Sequence, residues 1–191
     1  TVSRAEAEQL LDAVPSDVIV LFDEAYYQFN TDPDQEIGLD LFRKYPNVIV
    51  AHTFSKAYGL AGLRIGYGVG PADLIGEMGK VALPFSVSDV AQTAAVASLD
   101  AKEELDARVD AIVDERERVV SALRAQGWDI PDAYANYFWM PLGGDTVRVA
   151  AMLTEAGVST RAFSGCGIRI SIGTEEANNL VIKTCAAAKQ D

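Results

Sequence analysis

Two apolar runs rich in β-branched residues constrain most strongly how this chain can fold. They are DVIVLFDEAYYQF at 17–29, whose apolar stretch ends at Asp23 and Glu24, and NVIVAHT at 47–53. Continuous runs of this kind are typical of strands that are covered on both faces, as in a parallel sheet. A short helix is predicted between them at 37–45, so the segment reads as strand, helix, strand, a right-handed βαβ unit. The sequence therefore predicts an α/β fold.

After the βαβ unit, strands and helices continue to alternate up to about residue 100, and a long helix and a smaller α+β part follow. Apolar periodicity predicts a capped helix at the start, a further short strand and helix, and a long helical stretch that stops at Gly127. Shorter strands and helices then alternate to the end. We predict two parts, an α/β part at residues 1–100 and, at 101–191, a long connecting helix followed by a small α+β domain. The predicted elements after the βαβ unit lie at 64–70, 72–81, 87–99, 102–127, 136–142, 145–157, 158–163, 167–173 and 174–189.

Composition excludes several classes of function. The 191 residues are 49% hydrophobic and carry a formal net charge of −12, which argues against a nucleic-acid surface or a membrane-binding one. A single histidine and two distant cysteines exclude a multi-histidine metal site and a zinc motif. Neither a membrane-spanning run nor a signal-peptide pattern is present, so we predict a cytoplasmic protein. The first residue is Thr1 rather than methionine, and we expect that an upstream part is missing.

An acid and a lysine follow the two predicted strands. Lys56 comes 33 residues after Asp23, and each lies just beyond an apolar run. If the strands are parallel, both side chains emerge at the carboxyl edge of one sheet, where open α/β folds bind ligands. A partly buried ion pair explains these two residues alone equally well.

The neighbours of Lys56 favour a ligand site. Thr53 and Ser55 supply hydroxyl groups, Gly59 and Gly62 permit close approach of the backbone, and Arg64 adds a planar cation. Hydroxyls, backbone amides and a guanidinium together describe a pocket for a phosphate. The nucleoside-triphosphate loop pattern is absent.

Pyridoxal phosphate is the cofactor that suits a phosphate site beside a lysine amine and a carboxylate. Lysine condenses with its aldehyde as a Schiff base. A carboxylate such as that of Asp23 facing the pyridine nitrogen keeps this nitrogen protonated, and the ring then withdraws electrons. Tyr26, three residues after Asp23, is placed to act on the ring hydroxyl.

The segments DEAYYQF and TFSKAYGLAGLRIGY resemble the paired motifs of fold-type I aminotransferases, in the branch that holds histidinol-phosphate and aromatic aminotransferases. The resemblance extends to ANYFWMPL and GIRISIGT and so covers nearly the whole chain. It implies that residues 1–100 are the second half of the large cofactor-binding domain, with a mainly parallel sheet and helices on both faces. Family members are about twice as long, and the resemblance places an aromatic that stacks on the cofactor upstream of this chain. It also implies a homodimer.

The family motifs assign roles residue by residue. The resemblance makes Lys56 the Schiff-base lysine, Asp23 the pyridinium partner and Tyr26 the partner of the ring hydroxyl. The residues that match its phosphate ligands are Thr53, Ser55 and Arg64.

Substrate roles are implied for the second part of the chain. Arg169 in GIRISIGT matches the arginine that binds the substrate carboxylate. Asn136 and Phe138 match a segment at the active-site wall, but NYF has one residue more than the commoner NF, so their roles stay open. Arg161 assists with the acid group or the side chain of the substrate, or forms a structural ion pair.

Structural rather than catalytic roles are predicted for several other residues. His52 is expected in the core or behind the site rather than in catalysis. The charges at 102–118 are expected to form a solvated helix face. Packing roles are predicted for Tyr58, Tyr67, Trp128 and Trp139.

The resemblance implies an aminotransferase that moves the amino group of an aromatic amino acid to a 2-oxo acid, 2-oxoglutarate being the expected acceptor. Histidinol phosphate is the alternative substrate, and a decarboxylase or lyase on the same fold is a more distant alternative. From another class, the chain could be a non-catalytic fragment of such an enzyme.

Overall fold

The structure, a computed structural model, describes residues 1–34 and 38–189. These residues form two compact units, Thr1–Ala107 and Arg108–Asp191. The functional domain boundary at residue 100 remains a prediction, because compactness alone does not define the domains of the whole protein.

The first unit contains a three-stranded sheet in the order β1-β2-β3. Strand β1 (Val20–Asp23) runs parallel to β2 (Val48–Thr53), and β2 pairs antiparallel with β3 (Gly66–Val69). Helix α2 (Gly38–Leu41) lies between β1 and β2 in the chain, as the predicted strand–helix–strand order requires. The predicted helix at 37–45 begins at Ile37, which lies outside the described residues.

Three further helices lie within this unit. They are α1 (Arg4–Ala13), α3 (Ala72–Val81) and α4 (Asp89–Asp100). Helix α1 begins with the predicted capping box, in which the backbone N–H of Glu6 donates to Ser3 Oγ at 3.3 Å and the Glu6 carboxylate accepts from the Ser3 N–H at 2.9 Å. This reciprocal pair satisfies two donors that the first turn would otherwise leave open.

Strands β1 and β2 differ in burial, and one prediction is wrong here. Val48 and Val50 of β2 pack with α1 and α2, and Ile49 on the opposite face is also only 5% exposed. Leu21 of β1 shares the face of Ile49 but is 60% exposed. The expected burial on both faces therefore holds for the central strand β2 and fails for the edge strand β1.

The second unit packs helices against one face of an antiparallel sheet. Strands β4 (Tyr137–Pro141), β5 (Arg161–Phe163) and β6 (Gly167–Ser171) lie in the order β4-β6-β5. The core takes alternate residues of the sheet together with apolar residues of the helices, as expected for a half-buried antiparallel sheet. The helices are α5 (Lys102–Ala125), which begins in the first unit, α6 (Thr146–Glu155) and α7 (Glu175–Ala188).

Helix α5 ends where the sequence predicts. Gly127 has a φ of +87°, and the N–H of Trp128 donates to the carbonyl of Leu123 at 3.1 Å. A left-handed glycine closes the last turn in this way at little steric cost.

The charges of α5 do not all face solvent, contrary to the prediction. Arg116 is only 1% exposed, and its Nη1 donates to the carbonyl oxygen of Ala135 at 3.1 Å. The guanidinium thereby satisfies a carbonyl in the segment before β4. That segment is distant in sequence, so the local charge pattern of the helix gives no sign of this role.

Within residues 1–34 and 38–189, no helix is both long enough and apolar enough to cross a membrane. The same residues bring together no group of three or more histidine, cysteine, aspartate or glutamate side chains that could hold a metal ion.

Candidate functional site

Asp23 and Thr53 end the two parallel strands. Asp23 is paired in register with Ala51, two residues before the end of β2, so the ends of both strands lie at the same edge of the sheet. The Asp23 carboxylate accepts a hydrogen bond from the N–H of Ala25 at 3.1 Å, which fixes the turn after β1. Asp23 itself is exposed.

The chain between β2 and β3 forms a closed loop. The N–H of Phe54 donates to the carbonyl of Ile65 at 3.2 Å, and the N–H of Leu60 donates to the carbonyl of Phe54 at 2.9 Å. Phe54 is buried, and its ring lies 4.8 Å from that of Tyr58 and 6.0 Å from that of Tyr67. The loop is therefore anchored at its base by an aromatic cluster.

Lys56 projects from this anchored loop and is exposed. Its Nζ lies 5.3 Å from the centre of the Tyr26 ring, within the range of a cation–π contact. The carbonyl of Lys56 accepts from the N–H of Gly59 at 3.0 Å, and Gly59 has a φ of +71°. Lys56 and Tyr26 are thus neighbours, and Gly59 supplies the left-handed turn that follows Lys56.

The three predicted phosphate ligands lie on the same loop. The N–H of Ser55 donates to Thr53 Oγ1 at 3.1 Å, and Arg64 Nη1 lies 3.5 Å from Ser55 Oγ. The Arg64 guanidinium is also held by the carbonyl of Ala61 at 2.8 Å. Two hydroxyls and a guanidinium in this arrangement can bind an anion.

Glycines are not the residues with the most restricted backbone at each position of this loop, as Arg64 and Gly62 show. Arg64, not a glycine, has a left-handed conformation with φ 52° and ψ 46°. A Cβ added at Gly62 would meet nothing within 4 Å among the described residues. Close approach of the backbone to a phosphate at Gly62 stays a prediction, and the tight contact within the chain lies at Gly66, where a Cβ would be 2.6 Å from the carbonyl oxygen of His52.

A buried polar network lies behind the site, and sequence reasoning missed most of it. Glu24 Oε2 is 2.6 Å from His52 Nε2, and His52 Nδ1 is 2.8 Å from the Tyr67 hydroxyl. The other Glu24 oxygen accepts from the N–H of Gly38 at 2.6 Å. The Glu24 and His52 side chains are 9% and 4% exposed. The predicted place of His52 behind the site holds, whereas Tyr67 contributes its hydroxyl as well as packing.

Aromatic rings enclose this network. Tyr27 stacks on His52 with ring centres 4.4 Å apart. Burial is the main cause that raises the pKa of Tyr27 to about 12, and burial also raises the pKa of Tyr67. Both phenols therefore stay neutral at physiological pH. The register of β1 on β2 is the signal that could have revealed the network, because it sets Glu24 beside His52.

In the second unit, Arg169 lies at a pocket of about 420 Å³ on the sheet face away from the core. Its guanidinium carbon is 4.9 Å from the centre of the Tyr137 ring, and its Nε is buried without a hydrogen-bond partner among the described residues. A buried donor without a partner is costly, so this one is suited to a ligand acceptor. The pocket is lined by Arg169, Tyr137, Trp139, Phe163 and Cys166.

Arg161 is the cross-strand neighbour of Arg169, because β5 pairs with β6 in that register. It is exposed, and its guanidinium carbon lies 5.3 Å from the centre of the Phe163 ring. Like charges directly opposite each other destabilise a sheet unless an anion offsets them. The pair therefore adds to the positive potential beside the pocket.

Asn136 and Phe138 lie apart from this pocket. The carbonyl of Asn136 accepts from the N–H of Ile172 at 2.9 Å, which closes the end of the β4–β6 pair. Phe138 is in the hydrophobic core, on the face of the sheet opposite to Arg169. The role left open for Phe138 is therefore one in the core, and Trp139, predicted to pack, lines the pocket, since side chains alternate along a strand.

Comparison with known proteins gives a family and its relatives. The family described as aminotransferase class I and II matches residues 1–184. A protein of Streptomyces avermitilis named aromatic amino acid aminotransferase is 50% identical over 182 residues, which are 95% of this chain and 51% of that protein. A protein of Streptomyces coelicolor with the same name is 49% identical over the same length and share of each chain. The chain spans about half the length of the curated relatives it matches.

A solved structure agrees with the fold. The histidinol-phosphate aminotransferase of Sinorhizobium meliloti, solved in complex with pyridoxal-5'-phosphate, is 26% identical and superposes with a TM-score of 0.83. The match covers 96% of this chain and 53% of that one. The α/β fold class that the sequence predicts is confirmed.

Proposed function

Because the chain belongs to the family of class I and II aminotransferases, we propose that the whole protein transfers the amino group of an aromatic amino acid to a 2-oxo acid, with 2-oxoglutarate as the expected acceptor. The observation that carries this proposal is the identity of about half of the residues with proteins named aromatic amino acid aminotransferase. The prediction of the family from the two motifs is confirmed.

The residues at the β1–β2 edge fit pyridoxal phosphate. A guanidinium and two hydroxyls on one anchored loop have the chemistry that a phosphate requires, and an exposed amine on the same loop lies beside a phenol. When bound, pyridoxal phosphate supplies an aldehyde for covalent attachment and a ring that withdraws electrons from the α-carbon of the substrate. We assign its phosphate to Thr53, Ser55 and Arg64, and its attachment to Lys56.

The protein residues around the cofactor then have distinct tasks. With pyridoxal phosphate bound, the Asp23 carboxylate at the end of β1 would hold the proton on the ring nitrogen. The Tyr26 hydroxyl would donate to the ring oxygen. Lys56 Nζ would take the proton from the substrate α-carbon and later give a proton back, as a general base and then a general acid.

Arg169 is assigned to the substrate carboxylate. Its guanidinium has a donor without a partner among the described residues, and the Tyr137 ring beside it limits the orientations that the fork can take. Two parallel N–H donors fix a carboxylate in one plane, which orients the bond to be broken. Arg161 is assigned to the same acidic end of the substrate. A role for Asn136 at the substrate remains a prediction.

Histidinol phosphate is the second candidate substrate, and the likeness to the Sinorhizobium meliloti structure supports it. The aromatic lining of the Arg169 pocket favours an aromatic substrate instead. The homodimer and the cytoplasmic location are part of the proposal as well.

The test compares substrates on the whole protein. With 2-oxoglutarate as acceptor, we expect kcat/KM for phenylalanine and tyrosine to exceed kcat/KM for histidinol phosphate. Lys56→Ala should lower turnover by at least about 100-fold, because general acid–base catalysis is lost. Borohydride should fix the cofactor to the unmodified protein but not to this variant.

Lys80→Ala is the matched control, since Lys80 is an exposed lysine that pairs with Glu77 on a helix surface. It should leave turnover and borohydride fixation unchanged. A clear preference for histidinol phosphate would refute the aromatic assignment, and near-normal turnover in Lys56→Ala would refute the role of Lys56.

A further inference from the structure

We propose that Trp139 determines substrate specificity: its indole, together with Phe163, forms the wall against which the aromatic ring of an amino or 2-oxo acid packs while the carboxylate binds Arg169. The inference rests on the proposed function, because it names the group that selects the aromatic side chain. It concerns the second unit only.

The β4-β6-β5 order builds this wall. Trp139 and Arg169 are direct cross-strand neighbours on the face opposite to the core, and Phe163 belongs to the same face. The rings of Trp139 and Phe163 meet edge to face with centres 5.7 Å apart. Cross-strand neighbours of this kind lie close enough for one small ligand to contact both side chains.

Gly167 makes room for the indole. A Cβ at this position would lie 2.6 Å from Cζ2 of Trp139 and 2.1 Å from the carbonyl oxygen of Met140. Any side chain at position 167 would therefore displace the indole or separate the strands. The glycine allows Trp139 to extend over β6 toward Phe163.

Charge identifies one end of the ligand. Arg169 Nε is buried and makes no hydrogen bond within residues 1–34 and 38–189, and Arg161 places a second positive charge directly opposite on β5. An anion is the group that satisfies the donor and offsets the like-charge pair. The ligand at this pocket is therefore an acid.

The lining identifies the other end. Apart from Arg169 and Cys166, the pocket is lined by aromatic rings, those of Tyr137, Trp139 and Phe163. Its volume of about 420 Å³ is within the range of small-molecule sites. An acid with a single aromatic ring matches both features, and the ring can add a further edge-to-face or offset-stacked pair.

The test measures binding of two unreactive acids to the cofactor-loaded whole protein by calorimetry. 3-Phenylpropanoate and 3-cyclohexylpropanoate have the same charge and nearly the same size, but only the first has an aromatic ring. We expect the unmodified protein to bind 3-phenylpropanoate more tightly, by about 2- to 10-fold, the range that one aromatic pair contributes. Trp139→Leu should remove most of this preference, and Trp139→Phe, which keeps a ring, should retain part of it.

Trp128→Leu is the matched control. Trp128 packs against the core with Lys189 Nζ 4.3 Å from its ring centre, and it does not line the pocket. This variant should keep the full preference for the aromatic acid. Thermal unfolding of each variant shows whether it is folded.

The outcomes separate this inference from the proposed function. If Trp139→Leu weakens both acids equally, or if the unmodified protein has no preference while it still transaminates phenylalanine, the role of Trp139 is refuted and the proposed function stands. If no amino acid is transaminated although the aromatic preference depends on Trp139, the proposed function fails and the aromatic-acid pocket stands.

Discussion

Removal of the Glu24 carboxylate should destabilise the protein far more than removal of an exposed one. In Glu24→Ala, two buried groups lose their partner at once, the N–H of Gly38 at 2.6 Å and His52 Nε2 at 2.6 Å. Gly38 is packed tightly, since a Cβ there would lie 2.9 Å from a methyl group of Val50. The surroundings therefore leave little room to bring in replacement partners.

The magnitude follows from the number of groups left without a partner. Each buried polar group that loses its hydrogen bond costs about 1–3 kcal/mol, so the two together should cost about 2–6 kcal/mol. Glu24→Gln keeps the shape and an acceptor oxygen, and it should cost about half as much. Tyr67→Phe removes only the hydrogen bond at the buried His52 Nδ1, so by the same measure it should cost about 1–3 kcal/mol.

Urea unfolding of the whole protein, followed by circular dichroism, measures these differences. Glu77→Ala is the control, because the Glu77 side chain is 69% exposed in a surface pair with Lys80. An exposed pair of this kind contributes at most about 1 kcal/mol. If the free energy of unfolding decreases no more in Glu24→Ala than in Glu77→Ala, water has replaced the carboxylate as partner of these groups, and the reasoning is refuted.

Two further predictions concern the acid range and the β2–β3 pair. The hydrogen bond from Arg118 is the main cause that lowers the pKa of Glu115 in the folded protein. Ionised Glu115 therefore stabilises the fold at pH values above its ordinary pKa of about 4.3. This stabilisation is lost as the pH falls through the lowered pKa of the folded state. In Glu115→Gln, the free energy of unfolding measured with urea should therefore decrease less between about pH 6 and pH 2 than in the unmodified protein. The same dependence on pH in both proteins would contradict this prediction. Gly66→Ala should destabilise by about 1–3 kcal/mol, because the new methyl group meets the carbonyl oxygen of His52, whereas Gly62→Ala, in open space, should be nearly neutral in the same unfolding assay.

The parts of the fold that sequence predicts well are those set by neighbouring residues. The capping box at Ser3, the stop at Gly127 and the βαβ order all depend on short-range patterns, and each lies where it was expected. The grouping of Lys56 with Arg64 also follows from one continuous loop.

The parts that sequence does not predict depend on contacts between distant segments. Arg116 is buried against a carbonyl 19 residues away, and Leu21 is 60% exposed although its cross-strand neighbour Ile49 is buried. The placement of β6 between β4 and β5 sets Arg161 against Arg169 and makes Trp139 part of a pocket wall. Alternation along a strand predicts two faces but does not say which neighbour each face will meet.

The left-handed backbone of Arg64 has a consequence for directed evolution. A residue with a Cβ is about 1–2 kcal/mol less stable than glycine in that conformation, so replacement by glycine relieves strain in the loop that carries Lys56. The same replacement removes the guanidinium beside Ser55. Selection for heat tolerance alone would therefore favour losing this arginine, and selection for turnover would keep it, which makes position 64 a point where the two pressures oppose each other.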